Sequence, residues 1–120
     1  MNRRPLFAAL LLTALLLALH LYALETYLYW YERWFDIPMH ILGGVAVGAF
    51  LLAFIGSHRT LLYILGMVVV VVGWEVFEYI GSISTGQPDY WFDTTYDIFN
   101  GLFGSVLTLL IARVSPWRSN

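Results

Sequence analysis

The sequence has no cysteine and no lysine, and only 12% of its residues are charged. Without cysteine there is no disulfide, no thiolate nucleophile and no cysteine-ligated zinc. Without lysine, and with a formal net charge of -2, there is no basic stripe to neutralise phosphates, which excludes nucleic acid as a partner. Such scarce charge also excludes an ordinary soluble domain, where about 25% of residues are charged. The chain further lacks a recognisable nucleophile motif, a phosphate-binding loop and any haem or flavin signature.

What is present is apolar surface: 60% of the 120 residues are hydrophobic. Four stretches, approximately 5–24, 37–56, 60–80 and 94–114, can each cross about 30 Å of hydrocarbon at about 1.5 Å per residue. The composition therefore predicts an all-α integral membrane four-helix bundle, a single domain over 1–120 with short loops. The first stretch follows Arg3 and Arg4, as a secretory signal would, but its leucine-rich run is too long for a signal core. No small-x-small cleavage site stands near Tyr22 or Glu25, so a retained helix is expected.

The charges segregate once these spans are threaded through a bilayer. All eight carboxylates (Glu25, Glu32, Asp36, Glu75, Glu78, Asp89, Asp93, Asp97) fall at one side, and Arg3, Arg4, Arg59, Arg113 and Arg118 at the other, leaving only Arg33 with the acids. Cytoplasmic loops retain arginine, so both termini are expected inside and the acidic loops outside, in a prokaryotic cytoplasmic membrane. Tyr27, Tyr29, Trp30, Tyr31, Trp34, Tyr90, Trp91 and Phe92 then form an outer aromatic belt, with Trp117 as inner anchor.

Several acids lie within spanning segments, where an ionised group costs roughly 2.5–3.5 kcal/mol near the centre. The second span opens with Asp36-x-x-x-His40, the third ends with Glu75-x-x-Glu78, and the fourth opens with Asp93-x-x-x-Asp97-x-x-Asn100. Spacings of three, four and seven put each set on one helical face. Counted inward at 1.5 Å per residue, His40, Glu75 and Asp97 come out about 5–8 Å below the outer boundary, with Asn100 deeper. His20 on the first span reaches a similar depth.

Carboxylates, a carboxamide and an imidazole are mainly oxygen donors with a nitrogen, a set suited to Mg, Mn, Fe or Zn. A divalent metal would also relieve the repulsion among clustered carboxylates at low dielectric. The expected metal ligands are His40, Glu75, Glu78, Asp93, Asp97 and Asn100, with Glu75 and Glu78 as candidate catalytic groups. The Glu-x-x-His pair of ferritin-like di-iron bundles is absent. Structural readings compete: Asp36 and Asp93 also fit helix N-caps, Glu25, Glu32 and Asp89 solvated loop charges, and His20 and Asn100 interhelical hydrogen bonds. Gly44 and Gly48, Gly66 and Gly73, and Gly101 and Gly104 allow close helix contact within the chain or between copies.

Through Asp36-x-x-x-His40-x-x-x-Gly44, Glu75-x-x-Glu78 and Trp91-Phe92-Asp93-Thr94-Thr95-Tyr96-Asp97, the chain resembles the YjdF-like and VanZ-like small polytopic prokaryotic membrane proteins. The match spans about residues 36–104. Phe92 intervenes between Trp91 and Asp93, and Tyr96 stands where that group's W-D-T-x-W-D segment has tryptophan. The resemblance implies a helical membrane bundle whose acidic and histidine positions form one unit, and no particular chemistry.

Three functions are compatible with these residues. The first is a divalent-cation site at the outer membrane surface, acting as a metal-dependent hydrolase or transferase on a lipid or envelope headgroup. The second is a non-catalytic assembly or binding protein whose polar layer locks the bundle. The third, an ion-coupled transporter, is disfavoured because the inner halves of the spans offer only Thr13, Tyr63, Ser105, Thr108 and similar groups, with no acidic relay.

Overall fold

A computed structural model describes residues 1–81 and 89–115. The expected inner anchor Trp117 lies outside the described residues. Those described form helices joined by short connections: α1 (Arg3–Glu25), α2 (Leu28–Tyr31), a 3-10 turn (Arg33–Phe35), α3 (Asp36–Phe54), α4 (Thr60–Ile80) and α5 (Tyr90–Val114). α1, α4, α5 and the Arg33–Phe54 stretch are long and apolar enough to span a membrane. The molecule is 47 Å long, close to a bilayer with its headgroups at about 40–45 Å. It is a multi-pass all-helical membrane protein.

Two boundaries differ from the sequence reading. α5 starts at Tyr90, four residues before Thr94, so Asp93 lies within its first turn. α3 ends at Phe54, where Gly56 takes φ 81° and its N–H donates to the Leu52 carbonyl at 3.2 Å. Glycine enters that left-handed conformation without a Cβ clash, so it can close a helix there.

α3 is the centre of the bundle. It packs most extensively on α5, then on α1, while α4 rests lightly against α3 and α5. α3 and α5 run parallel, and their contacts keep one register: His40 meets Asp97, Gly44 meets Gly101, and Gly48 meets Ser105. Each step is one helical turn on both partners. The close approach depends on glycine: a Cβ at Gly44 would run into the Gly101 carbonyl, and one at Gly104 into the Ile41 carbonyl. Gly44, Gly48, Gly101 and Gly104 are thus occupied within the chain, whereas a Cβ at Gly73 on α4 would meet nothing within 4 Å.

Hydroxyls reinforce the crossing. The Ser105 hydroxyl donates to the Gly44 carbonyl at 2.7 Å, and the Tyr63 hydroxyl donates to the Ser105 carbonyl at 2.8 Å. Tyr63 belongs to the buried stripe of α4, which reads Tyr63, Met67, Val71 and Glu75 at intervals of four. The rest of α4 presents valine and leucine outward, as a lipid-facing surface does.

The two ends contrast in charge. At one, the Asn2 N–H donates to the Ala53 carbonyl at 2.8 Å, and the Arg113 guanidinium donates to the Thr60 hydroxyl, gathering Arg3, Arg4, Arg59 and Arg113. At the other, Arg33 pairs with Asp89 at 3.2 Å, joining the starts of α3 and α5. Tyr27, Trp30, Tyr31, Trp34, Trp91 and Phe92 are exposed there, but the proposed belt loses two members. Tyr90 is buried beside Tyr79 and Trp91, and Tyr29 turns inward.

Candidate functional site

The α3–α5 register makes the site. One turn toward the acidic end from the Gly44–Gly101 contact, the two helices are still close, and the side chains there are His40 and Asp97. His40 Nε2 stands 3.4 Å from a carboxylate oxygen of Asp97 and 3.4 Å from one of Asp36, a turn earlier on its own helix. The stripe of α4 delivers the remaining groups, ending in Glu75 with Glu78 one turn beyond.

Ligand atoms of Asp36, His40 and Asp97 lie within 4.8 Å of one another, and so do those of Glu75, Glu78 and Asp97. Asp97 belongs to both groups. Three helices therefore converge on one carboxylate, 8% exposed in its side chain and two turns inside α5 because that helix begins early. Chemically, this is a donor set of four carboxylates and one imidazole, able to hold a divalent cation or to share protons.

Of the residues expected from sequence, His40, Glu75, Glu78 and Asp97 are brought together. Asp93 falls in neither group and stays half-buried on the preceding turn of α5. Asn100 is 7% exposed on the following turn, and its Nδ2 has no hydrogen-bond partner among the described residues. The capping expectation fails for both aspartates. Asp36 is the first residue of α3, after Phe35, and Asp93 lies inside α5, whose cap position is Asp89; neither helix start has a side-chain capping bond. Asp36 turns instead to His40. Its spacing of four from His40 was the available signal, and it pointed to the site as well as to a cap.

Two of the expected loop charges find partners near the surface. Glu32 accepts from Trp34 Nε1 at 2.7 Å, and Asp89 pairs with Arg33. Glu78 accepts from Trp74 Nε1 at 3.0 Å, which fixes one of its oxygens at the lipid-facing side. His20 joins neither carboxylate group, and its Nδ1 lies 2.9 Å from the Tyr29 hydroxyl. Tyr27, at φ 56°, makes the sharp reversal between α1 and α2, and Tyr29 follows it inward. Burial, together with the charges of Asp36 and Glu78, pushes the Tyr29 phenol up to about 12, so it stays a neutral hydroxyl beside His20.

Fold and site together define a multi-pass membrane protein with a partly buried acidic and histidine layer near one end. Comparison with known proteins finds no matching family model, no similar curated protein and no similar solved structure.

Proposed function

We propose that this membrane protein binds divalent cation in its acidic layer and uses it on a lipid or envelope headgroup at the outer face of a prokaryotic cytoplasmic membrane. The observation that carries the reading is the convergence of Asp36, His40, Glu75, Glu78 and Asp97 from three helices. Four carboxylates crowded at low dielectric repel one another unless a cation or bound protons neutralise them. The arginine-rich opposite end supports an inward orientation for both termini, which leaves the acidic layer facing out. A headgroup could then reach this layer while its acyl chains stay in the bilayer.

In this reading His40, Asp97 and the buried Glu75 hold the cation. Glu78, half-buried and closer to the outer end of α4, serves as general base. Metal analysis of the purified protein against the His40→Ala/Glu78→Ala variant is the test. A clear loss of bound metal is expected, and equal metal content in the two proteins overturns the reading. The hydrolytic half is checked by mass spectrometry of phospholipid vesicles incubated with metal-loaded protein, where unchanged lipid counts against it.

One observation favours a second reading. His40 bridges Asp36 on its own helix and Asp97 on α5, which could lock helix register without any metal. Under that reading, His40→Ala lowers the melting temperature while chelators and added metals change nothing.

A further inference from the structure

The arginine end holds positive charge that nothing nearby in the chain balances. All eight side-chain carboxylates lie at the other end, and among the described residues none of Arg3, Arg4, Arg59 and Arg113 forms an ion pair. Membrane orientation accounts for arginines collecting on one side of a bilayer. It does not account for two of them converging on one point.

That point is Thr60, the first residue of α4. Arg59 immediately precedes it, and Arg113, in the last turn of α5, reaches across to donate to its hydroxyl. A cation in the last turn suits the negative end of α5, but the Arg113 guanidinium thereby stands at the start of α4, where the helix dipole is already positive. No side chain caps this start, and its first N–H groups have no carbonyl within their own helix. Two guanidinium groups and a row of N–H donors therefore face one place without a counter-charge.

The same place is hollow. His58, Arg59 and Thr60 form the polar part of an open depression of about 510 Å³, and Leu61, Leu62 and Leu65 form the rest. All three leucines are exposed, and Leu65 lies about 7.5 Å farther along the axis than Thr60, toward the middle of the span. Donors at the membrane surface with an apolar wall just beneath follow the layout of a phospholipid, whose phosphate lies above its acyl chains. A free phosphate would use the donors and leave the leucine wall unoccupied.

We infer that this hollow binds one anionic phospholipid. Its phosphate lies against Arg59, Arg113 and the start of α4, and its acyl chain runs along Leu61, Leu62 and Leu65. Guanidinium forks match phosphate oxygens, and Arg113 retains N–H groups beyond the one given to Thr60. The bound phosphate supplies the missing negative charge and links α4, which packs only lightly on its neighbours, to the end of α5. The site lies at the opposite end of α4 from Glu75 and Glu78, and it does not depend on the cation-binding reading of the acidic layer.

The full chain in detergent is titrated with phosphatidylglycerol, and bound lipid is read by native mass spectrometry. Phosphatidylcholine with the same acyl chains and inorganic phosphate serve as comparisons. One tightly held phosphatidylglycerol per chain is expected. Each arginine near a membrane surface contributes about a factor of five, so Arg59→Gln should weaken binding about fivefold and Arg59→Gln/Arg113→Gln about thirtyfold. Arg3→Gln/Arg4→Gln removes the same charge from the same end but leaves the hollow intact, and should weaken binding far less. Equal weakening in the two double variants means diffuse attraction and overturns the inference, as does equal affinity for phosphatidylcholine or no bound lipid at all. Inorganic phosphate that displaces the lipid at equal concentration marks a free-anion site and overturns it too. Arg59→Gln keeps the Arg113 contact with Thr60, so the inference stays open to refutation even if the double variant fails to fold.

Discussion

Along the α3–α5 seam, the turn on the acidic side of Gly44 and Gly101 and the turn on the arginine side keep one register but hold opposite kinds of side chain. On the acidic side His40 faces Asp97, and Asp36 and Glu75 crowd in. On the other, Gly48 faces Ser105, and the polar atoms are hydroxyls that donate to carbonyls within the protein. The lower turn is self-sufficient in hydrogen bonds; the upper is not. The glycine crossing forces the helices together, and the groups one turn above it are drawn in regardless of their mutual repulsion. The tight lower seam thus acts as the scaffold that holds an unsatisfied upper layer in place.

The sharpest way to break this comparison is to open the seam. Gly44→Leu drives a side chain into the Gly101 backbone, which cannot move without displacing α5. Overpacking of this kind typically costs about 1–3 kcal/mol and sometimes more, and here it should abolish a cooperative thermal transition in detergent. Gly73→Leu, on the open face of α4, should leave the melting temperature nearly unchanged. If both variants melt alike, the seam is not the scaffold.

Next in size is Asp97→Asn, which removes the carboxylate common to both ligand groups. Wild-type protein at 100 times the dissociation constant for Mn2+ should gain about 2.7 kcal/mol over protein in chelator, and the variant should lose most of that gain. Glu75→Gln sharpens the same point through a reversal of order. In chelator the variant should be the more stable, because it no longer sets a carboxylate against those of Glu78 and Asp97, and in Mn2+ it should be the less stable. Calorimetric melting curves of both proteins with and without metal check this, and a variant that is less stable in both conditions argues for the register lock.

On the lower turn, Ser105→Ala deletes one hydrogen bond to the Gly44 carbonyl. A loss of about 1 kcal/mol is expected, measured by equilibrium unfolding and independent of metal. The smallest effect belongs to Arg33→Ala. Its partner Asp89 is 47% exposed, so the pair should contribute about 0–1 kcal/mol, and high salt should erase the difference from wild type.

The spans and the polar spacings were legible in the residues because each depends on short-range regularity. Twenty or so apolar residues mark a membrane helix, and His40 with Asp36, or Glu75 with Glu78, share a face through helical geometry alone. Asp36 and Asp93 were harder. An aspartate near a helix start suits a cap and a ligand equally, and the choice at Asp36 depended on where α5 placed Asp97. At Asp93 it depended on α5 starting at Tyr90, upstream of the apolar run, in an aromatic segment whose polarity resembles a loop.

An all-helical membrane chain, its division into an acidic and a basic end, and the residue types available at the acidic end were already written in the residues. Those follow from transfer free energies and from the 3.6-residue repeat, which act locally. Helix packing, in contrast, sets α3 and α5 side by side with Gly44 against Gly101, makes Asp97 common to two ligand groups, and leaves Asp93 outside them. These depend on which helix approaches which and in what register, and that is set by backbone contact between glycines more than fifty positions apart, which no local pattern encodes.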